Sequence, residues 1–193
     1  SNDETAIFAF SNGRLDVFNS SGVAIQTNIT SNCNWTTATI FELNIAQFGD
    51  TVFVCHRDYP IRKIVRASAS SFSVSAFAFE ENDSVTAHSV NKTTQPFYKY
   101  ADSSITLTPS ATSGASVTVT ASASVFEDAH DETYLEIGGK QVYITSKDSA
   151  TQVTVKVIET LGGTSAEADW TEQLISGVRG YPHAVSFHDN RLW

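Results

Sequence analysis

"TYLEIGGKQVYITSKDSATQVTVKVIE", Thr133 to Glu159, alternates apolar and polar side chains with a period of two. In an extended strand, successive side chains point to opposite faces. Val153, Val155 and Val157 therefore share one face, and Thr154 and Lys156 share the other. Gly138-Gly139 supplies a turn between two such runs. The stretch predicts antiparallel strands with one apolar face, and nothing in it has helical spacing. Moving towards the N-terminus, "SITLTPS" from Ser104 and "ASVTVTASA" around Val117 and Val119 bring the count to five strands. Five short strands with one oily face predict a small barrel or sandwich over residues 101–164, inserted between flanking segments. "GGTSAEADW" reads as the linker back.

Residues 1–100 read differently, as short hairpins. "AIFAF" and "RLDVF" flank Asn12-Gly13, a dipeptide suited to a type I′ turn. "TVFVC" alternates Val52 and Val54 against Phe53 and Cys55. "HRDYP" reads as a break, because Pro60 has no N–H to donate to a ladder. "SFSVSAFAFE" puts Phe72, Val74 and Ala76 on one face. The stretch "FSNGRLDVF" at Phe10 to Phe18 is echoed by "FHDNRLW" at Phe187 to Trp193. Repeated hairpins of this kind predict propeller-like blades, and a lone blade cannot bury both of its faces. The expectation is an all-β chain: propeller-like hairpins over 1–100, the inserted module over 101–164, and a return to a propeller-like hairpin over 165–193. The chain stops inside a strand, which predicts one slice of a longer subunit.

Composition narrows the function classes. The net charge is −9, and residues 101–164 alone carry eight acidic against three basic residues. That balance argues against a stable grip on nucleic acid, which needs a basic footprint. No apolar run reaches the ~20 residues needed to span a bilayer. Cys33 and Cys55 fix no compartment; buried thiols and a disulfide both remain open. The sequons at Asn28, Asn34, Asn82 and Asn91 are near what chance yields in a chain rich in Ser and Thr, so they do not argue secretion.

Several clusters invite a chemical reading. "FEDAHDE" gathers Glu127, Asp128, His130, Asp131 and Glu132, donors for Ca²⁺ or Zn²⁺, but without the ligand register or turn glycine of an EF-hand loop; a solvated turn joining two strands is the reading preferred. His56, His183 and His188 lie at hairpin edges, where convergence on zinc competes with surface or capping roles. Ser186, His188 and Asp189 suggest a triad, yet adjacent strand residues point oppositely, so partners would have to come from elsewhere. Arg57 with "IRKIVR" forms a basic run, read either as a contact for an acidic partner or phosphate, or as a solvated strand edge. No residue pair selects itself as a glycosidase couple. The sequence therefore assigns no catalytic, cofactor-binding or metal residue, and predicts no enzyme and no cofactor.

Three segments in order, "TVFVCHRDYPIRKIVR", "ITLTPSATSGASVTVTASASVFEDAHDETYLEIGGKQVYITSKDSATQVTVKV" and "VRGYPHAVSFHDNRLW", resemble the tail nozzle (lower tail tubular) proteins of short-tailed bacteriophages. The resemblance covers most of 51–193; the first fifty residues match only in hairpin style. It implies a virion structural protein, made in the host cytoplasm and built into the tail. Copies would assemble in a ring, a hexamer in the full-length protein, around a DNA exit channel. A portal adaptor or upper tail ring would join it above, and tail fibres or spikes at its side, with DNA only in transit and no membrane insertion. An acidic surface suits such a conduit, since like charges lower adhesion of passing DNA. Two alternatives stand beside it. One is a β module that binds a sugar or receptor, with Tyr134, Tyr143 and Trp170 available for stacking. The other is a hydrolase on a propeller scaffold.

Overall fold

In a computed structural model of the chain, residues 5–189 and 191–193 are described; Ser1 to Glu4 and Asn190, the third residue of "HDN", lie outside them. The fold is all-β, 52% strand and 3% helical, and includes a sheet curled into a half barrel. No helix among the described residues is long and apolar enough to cross a membrane. The chain forms two compact units, Ser1–Ala78 with Gly180–Trp193, and Phe79–Arg179. The expected turning points at 100/101 and 164/165 both fall inside the second span.

The first unit holds β1 (Ala6–Ser11), β2 (Arg14–Asn19) and β3 (Ala24–Ile29) as one antiparallel meander. A second, four-stranded meander runs β4 (Asn44–Phe48), β5 (Thr51–His56), β6 (Tyr59–Ser68) and β7 (Ser71–Ala76). Leu15 and Val17 from the first sheet share one core with Val52, Val54, Ile64, Phe72 and Val74 from the second, so each ribbon covers the other's apolar face. Phe72 and Val74 fill the positions that alternation assigned to them. Trp35, fully buried in the loop after β3, seals this core: its ring meets Phe10 edge-on at 5.0 Å and its Nε1–H donates to the Arg14 carbonyl at 3.0 Å.

Two local expectations need correction. The Asn12-Gly13 turn is not type I′: Gly13 has φ +63°, but Asn12 stays outside the left-handed region. The turn is bonded outward instead. Gly13 N–H donates to Trp35 O at 2.9 Å, and Thr37 N–H donates to Asn12 Oδ1 at 3.1 Å. Pro60 does not break the strand; it is the second residue of β6. The break is Arg57-Asp58, and the register shift between the Val54–Arg62 and His56–Tyr59 pairs absorbs the proline in a bulge.

The second unit opens with the β8 (Glu81–Ala87) and β9 (Val90–Thr93) hairpin, turned by His88 and Ser89 at φ +54° and +63°. Then follow β10 (Phe97–Tyr98), β11 (Leu107–Pro109), β12 (Val117–Ala121), β13 (Tyr134–Ile137), β14 (Lys140–Ser149), β15 (Gln152–Val157) and β16 (Trp170–Gln173). These seven form one sheet in the order β10-β16-β13-β14-β15-β12-β11. The five strands expected from period-two alternation are contiguous in it, with β16 and β10 added beyond β13. Leu107 and Glu167 exchange two backbone hydrogen bonds of 2.9 and 2.8 Å, tying the β11 margin to the segment that leads into β16. Curling puts Val119, Leu135, Val142, Ile144, Val153 and Val155 into one enclosed core. Gly138 and Gly139, at φ +56° and +68°, form the tight turn between β13 and β14.

The chain ends in β17 (Phe187–His188) and β18 (Arg191–Leu192), which belong to the first unit. Phe10 pairs with Leu15 and Ser11 with Arg14; in the same register, Phe187 pairs with Leu192 and His188 with Arg191. The echoed sequence thus pairs in the same register twice, although the turns differ: Gly13 takes positive φ in the first and Asp189, at +48°, in the second. Among the described residues only the first copy has a third strand beside its Arg-Leu ribbon.

Replacing Trp35 with Ala removes both the ring packing and the bond to Arg14 O. Urea unfolding should register a loss of about 3–5 kcal/mol. An unchanged midpoint would mean that the loop does not seal the core.

Candidate functional site

The most concentrated polar chemistry lies inside the second unit. Strand β16 alternates inward Trp170 and Glu172 with outward Thr171 and Gln173, so a carboxylate enters an apolar interior; Glu172 is 3% exposed. Arg179 saturates it. Its Nε–H donates to Oε2 at 2.9 Å, and Nη2 donates to Oε1 at 2.7 Å and to Oε2 at 2.6 Å. The guanidinium also lies 4.4 Å from the centre of the Tyr100 ring. His130, 2% exposed, is the third member. Glu127 N–H donates to its Nδ1 at 2.9 Å, so the neutral ring carries its proton on Nε2 and donates it to Glu172 Oε2 at 3.2 Å.

This arrangement decides the fate of "FEDAHDE". The segment forms a short 3-10 turn, Asp128–His130, that points His130 inward, while Asp128 faces solvent and pairs with Lys147 at 2.6 Å. That pair holds the Asp128 carboxyl below its ordinary range. The carboxylates therefore point away from the imidazole. Among the described residues, no three His, Cys, Asp or Glu side chains group so as to hold a metal ion. Neither ring nitrogen of His130 meets a hydroxyl or a thiol among them. Glu172, Arg179 and His130 tie β16, the 3-10 turn and the Arg179 segment together.

The remaining candidates are dispersed. His56 is fully buried and stacks on Tyr59 with ring centres 4.4 Å apart, whereas His183 and His188 are exposed. His188 Nε2 lies 3.4 Å from Asp189 Oδ2 in open solvent, and Ser186 spends its backbone on a reciprocal pair with Trp193 rather than meeting the imidazole. Of the aromatic side chains considered for sugar stacking, Trp170 is buried, its Nε1–H donating to Ile105 O at 2.8 Å. Tyr134 and Tyr143 are a half-buried cross-strand pair, edge to face at 5.1 Å. The exposed aromatics of that unit are Tyr98 and Tyr100, on β10 and just past it.

The basic run does not lie on a strand edge. β6 is interior, between β5 and β7, and Arg62 points into the core face while Arg57 stays exposed at the turn. In the same unit a cleft of about 490 Å³ opens between the sheets, lined by Phe8, Val52 and Phe72 with Gln47, Asp50 and Arg66 at its polar side. Cys33 and Cys55 are buried and free, and burial pushes each thiol from its usual 9.0 up to about 11. No family model and no curated protein matches this chain.

Sequence reasoning missed the Glu172–Arg179 pair, although a signal was present. In "WTEQ" the period of two places Glu172 on the same face as Trp170, and a carboxylate on an apolar face needs a cation.

Two outcomes follow from this geometry. Arg179→Met leaves Glu172 buried with only His130, and should lower stability by about 3–5 kcal/mol in denaturant titration; adding Glu172→Gln should restore part of that. The thiols act at alkaline pH. In the unfolded chain they ionise near 9.0, in the folded chain near 11, so the unfolded state loses protons first and stability falls as pH rises through that window. Melting temperatures across it should drop in the parent chain and drop less in a Cys33→Ala, Cys55→Ala variant.

Proposed function

We propose that this chain is a structural segment of a phage tail nozzle that works by shape and not by reaction. The observation that carries the reading is the twice-used hairpin: one register, Phe opposite Leu and the next residue opposite Arg, in two places of a unit built from antiparallel meanders packed face to face. Four-stranded meanders such as β4 to β7 are how propeller blades are made, and in this reading the first unit supplies blade-like elements. The second unit is then the inserted module, a small barrel drawn towards closure by the Leu107–Glu167 bonds.

In this reading copies of the subunit form a ring, a portal adaptor or upper tail ring sits above, fibres or spikes attach at the side, and DNA passes through. Exposed Glu127, Asp128, Asp131, Glu132 and Asp148 give the inserted module an anionic surface that resists adhesion of DNA. The sugar-binding alternative is weakened by Trp170, whose ring faces are enclosed.

Electron-microscope imaging of the purified subunit that carries this sequence, alone and mixed with portal-adaptor proteins, should show closed rings. Monomers that persist at high concentration in both preparations would sink the nozzle reading.

A further inference from the structure

Arg62 is a buried cation whose Nε has no acceptor among the described residues. It is 6% exposed, its Nε is sealed from solvent with no hydrogen-bond partner, and among the described residues its guanidinium enters no ion pair. Its place in β6, opposite Val54 on one side and Ala76 on the other, turns it towards the core face. The ionisable groups acting on it are Tyr181, Cys33 and Tyr59. Burial pushes all three upward, so each is neutral near pH ~7 and none offers a counter-charge. The nearby carboxylates face away: Glu42 and Asp58 are 58% and 68% exposed and approach His56 instead.

His56, paired with Tyr59 at the head of the same strand, holds another donor that makes no hydrogen bond. His56 Nδ1 accepts from Asp58 N–H at 3.2 Å, which puts the proton of the neutral ring on Nε2. That nitrogen lies 3.3 Å from Glu42 Oε2 but without the alignment of a hydrogen bond, and it finds no other partner. The Gly180-Tyr181 segment crosses beside these groups. Tyr181 N–H donates to Arg57 O at 3.0 Å, and Gly180, at φ +88°, passes so close that an added Cβ would stand 3.4 Å from that same oxygen. This approach delivers the Tyr181 ring to Arg62.

A guanidinium whose Nε is cut off from water, with no opposing charge beside it, is unfavourable, and an entering anion offsets the penalty. We propose that Arg62, with Tyr59 and Tyr181 beside it, is a binding site for an oxyanion, a carboxylate or phosphate group. The planar fork of Arg matches two oxygens of such a group at once, which a lysine would not. This site is separate from the nozzle reading and stands or falls without it.

The test compares melting of the chain in inorganic phosphate, acetate and chloride at matched ionic strength and neutral pH. Phosphate, acetate or both should raise the midpoint by roughly 2–4 °C or more at saturation, with a saturable concentration dependence. Which of the two acts tells a phosphate site from a carboxylate site. Arg62→Met should abolish the response while melting no lower than the parent in chloride. Equal midpoints in all three salts would overturn the proposal, and so would the same rise in R62M, which would mark a general salt effect. If R62M does not fold, the ³¹P line width of inorganic phosphate titrated with the parent chain, together with acetate binding by calorimetry, decides instead: no saturable signal from either anion ends the proposal.

Discussion

The three larger sheets of this molecule each have one oily face, and an oily face exposed to water costs about 25 cal/mol for each Å² left uncovered. No single hairpin can meet that constraint, because the two strands of a hairpin show their apolar side chains on the same face. The chain meets it in two ways. In the first unit a three-stranded and a four-stranded meander cover each other, with Leu15, Val17, Val54 and Ile64 at the shared centre. In the second, one sheet of seven strands curls until its own inner face is enclosed around Val119, Leu135 and Ile144. The same alternation of side chains thus produces a sandwich-like solution and a half-barrel solution in one polypeptide.

Both interiors contain polar groups, and these are treated differently. Glu172 is fully answered by Arg179 and His130. Gln141, equally buried, exchanges two bonds of 3.0 Å with the backbone of Thr93 and so holds the β8–β9 hairpin to the sheet. In the first unit the Nε of Arg62 makes no hydrogen bond among the described residues, and His56 Nε2 has only Glu42 Oε2 near it, at 3.3 Å. A satisfied network locks neighbouring elements in one arrangement, whereas an unpaired buried donor carries its desolvation cost unanswered.

How much of this was legible beforehand depended on the range of the physics involved. The all-β class followed from alternation in runs such as Val153 to Val157, because side-chain direction in a strand is a local property. Turn identity was less legible. Asn12-Gly13 carries the strongest local signal and yet adopts a different geometry, since Trp35 and Thr37 claim its backbone and side chain from over twenty residues away. His88-Ser89, which carries no such signal, takes positive φ at both positions. Pro60 reads as a breaker but sits in a bulge, since a bulge frees one residue from the ladder. The polar candidates were the least legible: "FEDAHDE" collects ligand types by composition, while the structure splits them between an inward His130 and outward carboxylates.

The sequence alone determined that the chain is built of strands, which face of each is oily, and that Phe10 to Leu15 and Phe187 to Leu192 make matching hairpins. These are consequences of a period of two and of neighbours within a few residues. The tertiary structure decided which strands lie side by side, that β10 and β16 extend the central sheet, that Glu172 meets Arg179, and that the Nε of Arg62 finds no acceptor among the described residues. Those outcomes depend on the closing of loops tens of residues long, where many pairings satisfy the same alternation and only simultaneous packing of a whole face selects among them.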